Sequence, residues 1–219
     1  MRPLAGRWLG PLLAACFLFV FVWQALDHLD SGVAEKDQRT YLTIAYNMAR
    51  HGSFSSDVEG PRNEFTPTAV KPPGYPVLLA AGIWLSPALS GVPQERLFEK
   101  EAQGLLWFPK LLQFGCLLAA AVCAATIVFR LTGNRVLSWC ALALVGLDPE
   151  LHRFAGRFNS ENLALLLITV ASLCLMRIVE APAPRKFALA GAVFAALALT
   201  RAIYYHFWVF AVILFLCLA

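Results

Sequence analysis

The feature that most constrains this chain is its alternation of long apolar runs with short polar breaks. From Trp8 to Leu26 no residue carries a charge, and a helix over that run is long enough to cross about 30 Å of hydrocarbon. Further apolar segments run from about Tyr75 to Leu89, Leu105 to Phe129, Val136 to Leu147, Leu163 to Met176, Phe187 to Leu199 and Ala202 to Ala219. In lipid every backbone N–H and C=O must be satisfied within the chain, which leaves helices or closed barrels. The runs predict an all-α, polytopic transmembrane bundle. Several fall short of the roughly 20 residues a straight span needs, so kinked, half-embedded or interfacial helices are expected. Of 219 residues 59% are hydrophobic and 15% charged, with a mean hydropathy of +0.63. A soluble fold of this size would need far more polar surface.

The net charge is +4, and the basic residues sit in short loops, which sets membrane orientation and points away from nucleic acid. Arg2 with Arg7, Arg130 with Arg135, and Arg177 with Arg185 and Lys186 flank candidate spans. Placing all three clusters in the cytoplasm makes the helices alternate between them. The segment Tyr75–Leu89 then does not complete a crossing. The polar stretches Leu26–Lys71, Leu147–Asn162 and Thr200–Phe207 fall together on the outer side, with Gln94–Glu101 beside them. A first outer loop over about residues 27–104 follows.

The six cysteines, Cys16, Cys116, Cys123, Cys140, Cys174 and Cys217, all lie in apolar runs without a C-x-x-C pair, and are read as small core hydrophobes. Leu13-Ala14-Ala15-Cys16 resembles a lipoprotein processing box, but the run continues past it to Trp23. With no small-x-small site after it, the first run is read as a retained transmembrane helix rather than a cleaved signal.

Against this background the stretch KDQRTYLTIAYNMARHGSF, from Lys36 to Phe54, is out of place. Asp37 suits an N-cap, and Tyr41, Leu42, Ala45, Met48 and Ala49 form an apolar stripe at helical spacing. Arg50 and His51 suit the last turn, and Gly52 the position after it. This predicts an amphipathic helix lying on the outer membrane face. Lys71 follows in KPPGYP, a rigid turn ahead of an apolar run.

An aspartate opening a helix as D-x-x-x-Y-x-x-x-A, followed downstream by K-P-P-G-Y-P, resembles the first outer loop of GT-C membrane glycosyltransferases. The similarity is greatest to the branch of protein O-mannosyltransferases and the lipid A aminoarabinose transferase. DPELHRFAGRFNSENLALLL (Asp148–Leu167) resembles the second outer loop, with its later S-E-x-L. Arg130–Pro149 resembles the basic inner turn before it, and Gly191–Tyr205 the segment ending in T-R-P. Gln38 stands where many relatives carry Glu, and Ala202 where they carry Pro. The whole of residues 1–219 is read as one GT-C-like module, expected to be the N-terminal part of a longer protein.

The resemblance implies transfer of a sugar, with inversion, from a polyprenyl-phosphate donor to a hydroxyl on a lipid, glycan or protein acceptor, at the outer face of the plasma (inner) membrane. Such chemistry needs a carboxylate to take the acceptor proton and cations to stabilise the leaving phosphate. Asp37 is the candidate base. Lys71, Arg201, Arg153 and Arg157 are candidates for the phosphate, with Glu161, Arg39, Tyr41 and Tyr75 supporting. Arg201 interrupts an apolar run, where an ionisable residue is by default functional; its alternative is a snorkelling anchor. Glu161 would orient a cation, bind the sugar or cap its helix. His152 and His206 are read as interface residues, and without a D-x-D pattern no metal or other cofactor is expected. A silent subunit of the same fold, or a lipid or sugar transporter, is the competing class; inverted repeats would mark the transporter.

Overall fold

The computed structural model describes residues 5–33, 36–58, 65–89 and 91–206. The part of the expected Ala202–Ala219 segment after His206, and Cys217 with it, lies outside the described residues, as does Arg2. Among the described residues eight α-helices follow one another: α1 (Ala5–Leu29), α2 (Lys36–His51), α3 (Gly74–Trp84), α4 (Trp107–Thr132), α5 (Arg135–Gly146), α6 (Pro149–Gly156), α7 (Glu161–Glu180) and α8 (Pro184–Thr200). Short 3-10 turns at Pro87–Leu89, Gln94–Phe98, Lys100–Leu106 and Ala202–His206 fill the connections, and no strand occurs among the described residues. Among the described residues three segments, Gly10–Leu29, Gly104–Thr132 and Glu161–Glu180, are long and apolar enough to cross a membrane, as expected of a helical membrane protein.

The bundle has two chemically different ends. At one, α4 stops with Gly133 in the left-handed conformation (φ +65°), and the Asn134 side chain caps α5 by accepting from Val136 and Leu137 N–H. There Arg130 meets Glu180 at 3.4 Å, and Lys186 caps α7 by donating to Arg177 O at 2.9 Å and Ala181 O. Arg135, Arg177 and Arg185 occupy the same helix ends. The opposite end gathers the last turn of α1, the first turns of α4 and α7, the end of α8, and α2, α3 and α6. Its joints are polar. Lys110, fully buried, donates to Leu29 O and, at 2.9 Å, to Ser31 O, so its ammonium caps the carbonyl end of α1.

The helix α3 is 11 residues long, about 16 Å, half a hydrocarbon core. It both begins and ends at the polar end. A Cβ on Gly74 would stand 2.8 Å from Thr200 Oγ1, at the end of α8, and one on Gly82 would stand 2.9 Å from Pro109 Cα, in the first turn of α4. Only glycine admits these approaches.

The amphipathic reading of α2 needs correction. Rather than lying with a polar face in water, α2 is buried from Leu42 to Asn47, around much of its circumference. The reason is that distant loops meet its polar side chains. Asn47 donates both amide hydrogens, to Ser55 O and Asp57 O at 2.9 Å each, and accepts from Gln94 Nε2 at 3.0 Å. Tyr46 donates to Val92 O at 2.7 Å. Its apolar residues Leu42 and Ala45 join Tyr75, Leu79, Ile83, Leu97, Leu106 and Phe158 in the core of the polar end.

Candidate functional site

Three of the four charged side chains of the site, Asp37, Glu161 and Arg201, are delivered by helix termini whose electrostatics suit them. Helix α2 begins at Lys36, so Asp37 lies in its first turn rather than at the N-cap, as a carboxylate favoured by the helix dipole. Glu161 opens α7 in the same way; Ser160 holds the N-cap position, so the capping alternative for Glu161 falls away. Arg201 follows the last residue of α8, where a cation is favoured. Lys71 precedes the Pro72–Pro73 pair that leads into α3 at Gly74. The close approach of Gly74 to Leu199 and Thr200 brings the Lys71 turn against the Arg201 junction.

Two ion pairs result. Lys71 Nζ lies 2.9 Å from Asp37 Oδ1, and Arg201 lies 3.2 Å from Glu161 Oε1. An aromatic pair lies beside the first. The Lys71 ammonium stands 5.0 Å from the Tyr41 ring centroid, and the Tyr41 ring meets the Tyr75 ring edge-on, with centroids 4.9 Å apart. The Tyr75 hydroxyl donates to Gln113 Oε1 at 2.7 Å, and Gln113 Nε2 donates to Ala155 O at 3.0 Å. Burial, then the carboxylate of Glu161 and the neighbouring Tyr41, push the Tyr75 phenol well above its ordinary value. It therefore stays a neutral donor.

Exposure separates the roles of the partners. The Lys71 side chain is 17% exposed and that of Asp37 70%. A pair this open contributes about 0–1 kcal/mol, too little to anchor a loop. The lysine is held by its ring and its surroundings, whereas the carboxylate can exchange its partner without unfolding anything. The Glu161–Arg201 pair is more evenly enclosed, at 30% and 37%.

Not every sequence candidate joins this cluster. Arg153 is drawn back along its own helix, with its guanidinium 2.5 Å from Glu150 and over the Phe154 ring. The i,i+3 spacing makes that local pair the easiest partner available. Arg39 points away, its guanidinium 5.6 Å from the Phe98 ring centroid. Arg157, half-buried at the end of α6, forms no ion pair among the described residues. His152 is fully buried, its Nε2 2.8 Å from Gly146 O, and is a packing residue of the α6 turn. The five described cysteines are free.

The structure adds three residues that sequence reasoning did not single out: Gln113, Asn47 and Lys110. Each is a buried polar side chain that donates to backbone carbonyls outside its own helix. For Gln113 and Lys110 the available signal is a polar group inside an otherwise apolar helix, since burial there demands partners. No protein-family profile, curated protein or solved structure matches the chain.

Proposed function

We propose that this protein transfers a sugar from a polyprenyl-phosphate donor to an acceptor hydroxyl at the outer face of a cell membrane. The observation that carries the reading is a solvent-open carboxylate paired with Lys71 over the Tyr41 ring, and a second ion pair, Arg201–Glu161, at the α8 end that Gly74 closely approaches, from segments far apart in sequence. Nothing in local helix formation requires them to meet. Asp37 is the base that accepts the proton of the attacking hydroxyl, which adds to the anomeric carbon from the face opposite the departing phosphate and inverts it. Lys71 and Arg201 stabilise the charge that develops on that phosphate, and Glu161 orients Arg201. Tyr41, half-buried beside Lys71 with the buried Tyr75 packed against it, offers the aromatic surface against which a sugar ring can rest.

The charge distribution supports the orientation. Arg130, Arg135, Arg177, Arg185 and Lys186 gather at the end away from the site, where Glu180 is the acidic partner. Under the positive-inside rule that end faces the cytoplasm and the site the outer side; we read the membrane as the plasma membrane, with the lipid-linked donor reached at its outer boundary.

Binding of undecaprenyl phosphate to the purified protein tests the proposal, with undecaprenol as the uncharged comparison. Wild type is expected to prefer the phosphate, and Lys71→Ala or Arg201→Ala to abolish the preference. Equal binding of phosphate and alcohol would leave the two ion pairs as clamps between loop and bundle, the role expected of a silent subunit.

A further inference from the structure

We propose that Gln113 is a positioning residue that sets the orientation of Lys71 through a relay of buried side chains; its consequence for donor binding rests on the transferase reading above. Gln113 and Tyr75 are both fully buried, and the relay runs Ala155 O, Gln113 amide, Tyr75 hydroxyl, Tyr41 ring, Lys71 ammonium. It crosses four helices, α6, α4, α3 and α2, before reaching the turn that carries Lys71.

The chemistry of each link is specific. At Gln113 the side chain must donate to a backbone carbonyl and accept from a phenol at once. An amide does both; a carboxylate does only the second, an alkyl group neither, and the shorter Asn has to shift to try. The hydroxyl oxygen of Tyr75 is thereby held in place, and because a phenol O–H prefers the ring plane, its bond to Gln113 also favours one orientation of the ring. That orientation favours one plane for Tyr41, since the T-shaped packing of the pair depends on the interplanar angle, here 88°. The face of Tyr41 in turn sets where a cation is best placed. Gln113 lies in the candidate span Gly104–Thr132, where an unmatched amide is costly, so a buried amide with both functions used marks a designed contact.

Acylation of the full chain in detergent micelles by a water-soluble amine-reactive ester tests this, with modification of each lysine followed by mass spectrometry. Gln113→Leu and Tyr75→Phe are each expected to raise the acylation rate of Lys71 about three- to tenfold, the population shift one net hydrogen bond commands. The double variant should go no further than the larger single effect, because both residues belong to one chain of contacts. Lys186, at the far end of the bundle, reports global loosening and should not change. Gln113→Glu, which keeps the acceptor, should fall between. If Gln113→Leu fails to fold, Tyr75→Phe carries the test. An unchanged Lys71 rate, or one that rises in step with Lys186, overturns the inference. A specific rise at Lys71, together with a similar fold loss in undecaprenyl phosphate affinity, supports it in full. A specific rise in a protein whose wild type binds no polyprenyl phosphate supports the relay and removes the transferase reading alone.

Discussion

Replacing Gly74 by alanine tests whether the Lys71 turn and the Arg201 junction form one site, without touching a functional group. The added methyl would stand 2.8 Å from Thr200 Oγ1, 2.9 Å from Leu199 O and 3.0 Å from Leu199 C. Two of those three atoms are backbone at the end of α8, and Thr200 Oγ1 is itself bonded to Ala196 O at 2.8 Å. None can swing aside cheaply. Overpacking of this kind costs about 1–3 kcal/mol. The gain in helix propensity offsets at most about 1 kcal/mol of it, and less at the first residue of a helix. Relieving the clash means separating α3 from α8, and a net cost of about 0.5–3 kcal/mol raises the separated population about 2- to 150-fold. Gly115, with open space around its Cβ position, is the control, and Gly115→Ala should be neutral or mildly stabilising. Hydrogen exchange in micelles is the assay. Amides at 77–80 and 199–201 should exchange faster in Gly74→Ala, while those at the centre of α4 keep wild-type protection. Undecaprenyl phosphate affinity should fall with them. Wild-type exchange at both segments would refute the reasoning, because the close approach would then not hold the site together.

Asn47→Ala should destabilise the polar end by about 2–4 kcal/mol, since it leaves buried partners on two loops without their bonds, and chymotryptic cleavage at Phe54 should accelerate. Asp57 is held below its ordinary carboxyl value by the Thr66 N–H, at 2.7 Å, and then by the Ser55 hydroxyl. Its contribution is therefore complete above the ordinary value of about 4 and is lost as pH falls through the lower folded value. Proteolysis of the 53–70 loop should speed up on acidification in that range, and Asp57→Asn should flatten the response. In a cysteine-free background, Val58→Cys should react with an impermeant thiol reagent added to intact cells and Leu131→Cys should not; both positions are exposed, at opposite ends of the bundle. The reverse pattern would invert the orientation and place the site in the cytoplasm.

Much of the helical framework was legible because lipid leaves few alternatives to a helix. The apolar runs at Leu105–Phe129 and Leu163–Met176 became α4 and α7 with ends moved by a few residues. Arg201 was legible as a charge interrupting an apolar run, whereas Asp37 and Lys71 stood out through the resemblance of the D-x-x-x-Y and K-P-P-G-Y-P stretches. The burial of α2 was not. An amphipathic pattern tells how many residues are polar on a face, but not whether water or a distant loop meets them, and Asn47 finds Gln94 across 47 positions. The same limit misplaced Arg153, whose pairing with Glu150 is a matter of rotamer, and hid Gln113, which reads as one polar break in a span. Lys110 was passed over for the opposite reason: its charge lies inside a run whose mean hydropathy carried it along.

Transfer of a radiolabelled sugar from undecaprenyl phosphate to endogenous acceptors, in membranes carrying wild type or Asp37→Asn, tests the central claim most directly. The substitution removes a carboxylate whose side chain is 70% exposed and whose ion pair contributes about 0–1 kcal/mol, so expression and unfolding temperature should stay at wild-type values. Transfer should fall by about 10²–10⁴-fold, with donor binding retained through Lys71 and Arg201. Equal transfer by wild type and Asp37→Asn would contradict the assignment of the base. No transfer by wild type above membranes lacking the protein, across the polyprenyl-phosphate sugars tested, would contradict the function itself.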